Sequence, residues 1–141
     1  MNLPKEIILL DGENVIDMLE GNAVTDSPNP LVKLISFIIG IFALLMGVRL
    51  KTVIVLTDKR LIRMNRTKIF WFITRDIDVV TFSKKQLGSF GYYQARRWLF
   101  FKTLYFSFWE NFYMARITYK GKLADLNSFI AKLTEYIHGN D

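Results

Sequence analysis

Asp76 and Asp78 stand two residues apart in the β-prone stretch from Asp76 to Phe82, so their carboxylates share one side of a strand. Paired carboxylates in that geometry can bind a metal or exchange protons with a substrate. No further ligand type lies in the same segment, which favours a pair that stabilises a solvated strand edge or turn. His138 is the one histidine. It closes a helical pattern, where interaction with the last carbonyls or plain solvation is its natural role. The chain has no cysteine, which removes disulfides, thiolate metal sites and a cysteine nucleophile. It has neither a glycine-rich phosphate cradle nor a Gly-x-Ser-x-Gly turn. A protein without enzymatic activity and without a cofactor is the expectation.

Basic and aromatic residues form more suggestive groups. Arg96 and Arg97 precede Trp98, Leu99, Phe100, Phe101 and Lys102, a combination suited to a bilayer surface, where cations meet head groups and rings enter the boundary. Alternate rings filling a sheet core account for the same aromatic stretch equally well. Lys59, Arg60, Arg63, Arg66 and Lys68 make a second basic cluster, a candidate interaction face for which a solvated, solubilising role is the simpler account. Stacking of nucleic-acid bases on rings beside cations is disfavoured, because no exposed platform is evident.

The elements that must position these groups are dominated by one apolar run, residues 31 to 48. As a helix it extends about 27 Å at ~1.5 Å per residue, just under the ~30 Å hydrocarbon core of a bilayer. Asn29 and Pro30 supply an N-cap and a first-turn proline, and Lys33 can snorkel to an interface. Ser36, Gly40, Ala43 and Gly47 fall at intervals of four, three and four, giving a small-residue stripe of the kind that lets membrane helices pack closely. A helix buried in a soluble or oligomeric assembly is the alternative. A signal peptide is disfavoured by the run's distance from the N-terminus and by the acidic segment before it.

The net charge of +6 is unevenly spread. Residues 1 to 30 carry Lys5 against six acidic groups, whereas residues 49 to 141 carry 17 basic and 7 acidic groups. With Arg49 and Lys51 directly after the apolar run, the positive-inside tendency puts the basic C-terminal part in the cytoplasm at the cell membrane. Hydrophobic residues at 51% and a mean hydropathy of +0.19 imply apolar surface that meets lipid or partner chains.

The remainder reads as strands and one helix within a single domain-sized chain. Leu50 to Thr57, Leu61 to Asn65, Lys68 to Ile73, Asp76 to Phe82, Trp98 to Phe108 and Phe112 to Tyr119 have strand character, and Lys84 to Gln94 reads as a loop or irregular strand. Leu123, Leu126, Ile130, Leu133 and Ile137 recur at helical spacing, predicting an amphipathic helix from Ala124 to His138 that ends at Gly139. The organisation is an acidic segment 1–30, an apolar helix 31–48, and a β domain with a C-terminal helix over 49–141.

Three motifs carry a family resemblance. Leu9-Leu10-Asp11-Gly12-Glu13-Asn14-Val15, the hairpin Leu56-Thr57-Asp58-Lys59-Arg60-Leu61-Ile62, and Arg75-Asp76-Ile77-Asp78-Val79-Val80 resemble the bacterial PH-like (pleckstrin-homology-like) domains. The resemblance implies an α+β fold: a curled antiparallel sheet or partly open barrel with a C-terminal amphipathic helix. The apolar helix would be inserted near the N-terminus. If residues 12–25 supply a first strand, they share a compartment with residues 50–57, and a single crossing by the helix is forbidden. The expected function is a self-assembling scaffold or interaction protein at a membrane, with lipids, further copies and an unidentified protein as partners. An oligomeric pore and a soluble lipid- or nucleic-acid-binding module are the alternatives.

Overall fold

Val53, Ile54, Val55 and Leu56 are apolar at every position rather than every second one, a pattern that requires cover on both faces of the strand. The computed structural model, which describes residues 3–24, 29–97, 101–110 and 113–139, provides both covers. Its elements are β1 (Val15–Val24), α1 (Pro30–Leu45), β2 (Arg49–Thr57), β3 (Leu61–Ile69), β4 (Ile73–Phe82), β5 (Leu87–Arg97), β6 (Phe101–Glu110), β7 (Tyr113–Tyr119) and α2 (Leu123–His138). The strands form one antiparallel sheet in the order β4-β3-β2-β1-β7-β6-β5. The fold is therefore α+β, and the acidic N-terminal segment supplies a central strand.

The sheet is curled around its main core. Phe82 of β4 meets Phe108 of β6 edge to face at 5.7 Å, although the two strands stand five places apart in the sheet. A flat sheet would separate them by about 24 Å at ~4.8 Å per strand. Ile54, Leu56 and Leu61 from one half pack with Phe106 and Ile117 from the other, and α2 closes this core with Leu126, Phe129, Leu133 and Tyr136. The buried stripe of α2 thus differs from the expected one: Phe129 and Tyr136 join it, Ile130 and Ile137 lie at its margin, and Leu123 is exposed. The Tyr136 hydroxyl also donates to the Lys59 carbonyl at 2.7 Å, and Lys132 reaches Asp17 at 2.6 Å.

The outer face of β2 and β3 is covered by the N-terminal segment. Ile7 is buried against Val53, Val55, Ile62 and Met64, with Leu3, Leu9 and Met18 packed around them. One ion pair secures this cover. The Glu13 carboxylate is 0% exposed and accepts hydrogen bonds from Arg60 Nε at 2.8 Å and Nη2 at 2.9 Å, from the Thr57 hydroxyl at 2.7 Å, and from the Leu10 N–H at 2.6 Å. The Arg60 guanidinium overcomes the opposing effect of burial and holds the Glu13 carboxyl down to about 2. Arg60 also donates to the Ile8 carbonyl, and Arg66 pairs with Glu6 at 2.6 Å.

Three expected boundaries move. The helix expected over 31–48 ends at Leu45. The strand expected from Lys68 to Ile73 is instead the end of β3, a turn over Phe70, Trp71 and Phe72, and the start of β4, because residues 69 and 73 pair across the turn. The region expected as a loop, Lys84 to Gln94, becomes a short 3-10 turn and most of β5. The Ser83–Gln86 capping box fixes that turn, and the ladder to β6 passes Gly88 through a register shift and pairs Gly91 with Ser107.

Because Glu13 has a lowered folded-state pKa, its contribution is fully present above its unfolded value of about 4.5 and is lost as pH falls towards about 2. Glu13→Gln should lower stability in neutral urea melts by about 3 kcal/mol, the cost of breaking a buried pair. Its stability should also fall less than that of the unmodified chain between pH 4.5 and 2. Equal acid sensitivity of the two proteins would count against the pair as the acid-labile clamp.

Candidate membrane-facing site

Register places three connections at one end of the sheet. Thr74 pairs with Lys68 and Lys68 with Arg49; Val24 pairs with Arg116, Arg116 with Ser107 and Ser107 with Gly91. These residues form a transverse row in two parts, on either side of the point where β1–β2 pairing ends at Gly21↔Thr52. Immediately beyond the row lie α1 between β1 and β2, the Phe70–Phe72 turn between β3 and β4, and the Trp109–Met114 end of β6 and β7. Further along β5 and β6 in the opposite direction, Arg96 and Lys102 sit five residues from Gly91 and Ser107. That separation is about 16 Å at ~3.3 Å per residue.

α1 is locally well specified. The Asn29 side chain accepts from the Leu31 N–H at 3.0 Å, and Pro30 occupies the first turn. At the other end the Val48 N–H donates to Ala43 and the Gly47 N–H to Leu44, the Schellman pattern, with Gly47 at φ 65°. Gly47 therefore stops the helix and is not part of a packing stripe; Ser36, Gly40 and Ala43 remain within it. Among the described residues no strand packs extensively along α1, and its large apolar side chains are exposed on every side, Phe37 to 67% and Leu44 to 73%.

The helix base is built from an aromatic turn. Phe70 and Trp71 donate their N–H groups to the Met46 and Gly47 carbonyls at 3.1 and 2.9 Å. Both adopt positive φ, 50° and 65°, a conformation that costs a side-chain-bearing residue about 1–2 kcal/mol. These bonds to the end of α1 hold them there. A Cβ at residue 47 would lie 2.6 Å from the Trp71 ring, so glycine is required both by φ and by space. Trp71 and Phe72 nevertheless remain exposed, to 55% and 76%. Arg49 and Lys51 are exposed at the same base, Lys51 paired with Glu20 at 2.6 Å, and Lys68 is half-buried beside Arg49.

The covalent chain limits where α1 can go. Its 16 residues extend about 24 Å. Whatever the conformation between them, Val24 and Pro30 are six residues apart and so at most about 21 Å apart. With Val24 held in the sheet, the helix start cannot reach the far side of a ~30 Å hydrocarbon core. No helix among the described residues is long and apolar enough to cross a membrane.

The other sequence-derived groups are dispersed. Trp98 lies outside the described residues, and Arg97 ends β5. The cluster Lys59, Arg60, Arg63, Arg66 and Lys68 is no continuous open face. Lys59 donates to the Asp11 carbonyl at 2.7 Å, Arg60 and Arg66 engage Glu13 and Glu6, and Arg63 is buried against the Phe82 ring, 3.9 Å from Asp78. Asp76 faces Arg75 at 3.3 Å, and no three metal-ligating side chains gather among the described residues. His138 is exposed at the end of α2. An open cleft of about 690 Å³ includes Asn22, Gln94, Lys102, Thr118, Tyr119 and Lys120 in its lining, with no carboxylate or histidine there to act as acid or base. The aromatic turn was not recognised from sequence; three successive bulky rings at Phe70–Phe72 are its signal, since a strand would hide alternate ones.

Comparison with protein-family models, with curated proteins and with solved structures finds no match. Gly47→Ala should displace the Trp71 ring, lower stability by about 2 kcal/mol and change the near-ultraviolet circular dichroism. A spectrum and urea midpoint like those of the unmodified chain would refute the anchoring of α1 on this turn.

Proposed function

We propose that the chain is a non-enzymatic scaffold or interaction protein with a PH-like sheet, held at a membrane by α1, which enters the near leaflet without crossing. The observation that carries this reading is a helix apolar around its whole circumference, projecting uncovered from between two strands of one sheet. A helix of this kind needs cover all round. Eleven large apolar side chains of α1 are exposed, and at about 1 kcal/mol for each partly exposed side chain their cover is worth on the order of 10 kcal/mol. That matches the whole stability of a typical domain. Lipid supplies such cover, and the exposed Trp71 beside Arg49 suits the head-group boundary.

The PH-like assignment draws on the strand order with its C-terminal helix, and on the meeting of two motifs. Glu13 of the opening motif and Arg60 of the hairpin motif form the clamp described above. The basic residues at the base of α1 favour the cytoplasmic side of the cell membrane. Copies would pack through Ser36, Gly40 and Ala43, which permit close helix approach within the leaflet. A pore is disfavoured, because it needs a crossing that the Val24–Pro30 tether does not allow while β1 stays paired.

The unmodified protein should co-sediment with phospholipid vesicles and stay bound through a high-salt wash. Phe37→Asp combined with Ile41→Asp should weaken vesicle partition by at least about 100-fold, since an aspartate costs about 2.5–3.5 kcal/mol at the centre of a membrane helix. Circular dichroism should be unchanged, because both side chains are exposed on α1. An unmodified protein that stays in the supernatant with every vesicle composition would sink the proposal.

A further inference from the structure

The transverse row gives the membrane-facing end more than α1. Trp109 and Met114 are direct cross-strand partners at the end of β6 and the start of β7, with exposures of 40% and 43%. Cross-strand partners share a face. Val24 is the partner of Arg116, so the end of β6 and the start of β7 extend past the row in the direction in which β1 leads to α1. The sheet's alternation also gathers charge. Glu20 pairs with Val53, which puts Val24 and Arg49 on the outer face; Lys68 joins them as the partner of Arg49, and Arg116 as the partner of Val24. Lys68, Arg49 and Arg116 thus line three strands just behind the apolar tips, with the Arg116 guanidinium over the Tyr93 ring at 5.7 Å and donating to the Met114 sulfur at 3.6 Å. The opposite end carries the β2–β3 turn with Asp58 and Lys59, and Asp11 beside it.

We infer that the whole rim, comprising α1, the Phe70–Phe72 turn and the Trp109–Met114 pair, docks on the bilayer at once, with Arg49, Lys68 and Arg116 reading anionic lipid head groups. This deepens the membrane reading above and rests on it. Three separated apolar contacts fix the orientation of a sheet on a plane, which one helix cannot do. Cations set just behind apolar tips meet the phosphate layer when the tips enter the acyl boundary. The β5–β6 end, with Arg96 and Lys102, then points away from the lipid.

Trp71, Trp98 and Trp109 are the three tryptophans of the chain; Trp71 and Trp109 stand at the rim, and Trp98 follows Arg97 in sequence. Full-length variants retaining one of them, the others replaced by phenylalanine, are mixed with phosphatidylcholine vesicles that contain phosphatidylglycerol and brominated acyl chains. Quenching of Trp71 and Trp109 but not Trp98 is expected. Binding to these vesicles should exceed binding to phosphatidylcholine alone, and Arg49→Glu and Arg116→Glu should each reduce the excess by about 5-fold or more, from ~1 kcal/mol per basic residue near an anionic surface. If Trp71 is quenched and Trp109 is not, the rim inference fails while anchoring by α1 stands. If Trp98 is quenched in place of Trp109, the inference is overturned. Equal affinity for both vesicle types removes the head-group assignment, and absence of Trp71 quenching removes the membrane reading itself.

Discussion

The position of β1 between β2 and β7 constrains everything else in this chain. β1 follows β2 from Val15↔Thr57 to Gly21↔Thr52 and pairs with β7 from Gly21↔Tyr119 to Val24↔Arg116, so one strand joins the two halves of the curled sheet. The changeover falls at Gly21, where a Cβ would lie 2.0 Å from the Thr118 carbonyl oxygen. Only glycine lets the two backbones approach that closely. Since β1 and β2 flank α1 in sequence, their pairing brings both ends of the apolar helix back to one side.

A second constraint keeps β2 dry on both faces. The core beneath it is closed by α2, and the face above it by residues 3–10, a short irregular segment. Glu13 turns that segment into a fixed part of the fold by joining it to the β2–β3 hairpin through Arg60 and Thr57. The basic cluster around that hairpin is consequently spent largely on internal contacts. At the base of α1, by contrast, Arg49 is exposed, while the neighbouring Lys51 pairs with Glu20.

Much of the fold was legible in sequence because local signals and tertiary demands agree. Asn29, Pro30 and the apolar run announce α1, and the three- and four-residue spacing up to Ile137 announces α2. The strands of β2 and β7 follow from their β-branched and aromatic content. The end of α1 was misplaced because hydropathy continues through Val48, whereas termination depends on Gly47 adopting positive φ against Trp71. β5 was obscured by Gly88 and Gly91, which read as loop punctuation but are carried by pairing to β6.

The site was less legible than the fold. From sequence, Arg96, Arg97, Trp98 and Lys102 formed one group with Arg49 and Lys51, since all are basic or aromatic residues near apolar stretches. The register sets Arg96 and Lys102 at the other end of the sheet from Arg49. Composition, the caps and the apolar run determined by themselves that the chain carries a helix that water does not suit. Which side its two ends lie on, how deep it can reach and which turns stand beside it were decided by strand pairing alone, because contacts between residues far apart in the chain leave no periodic mark within either segment.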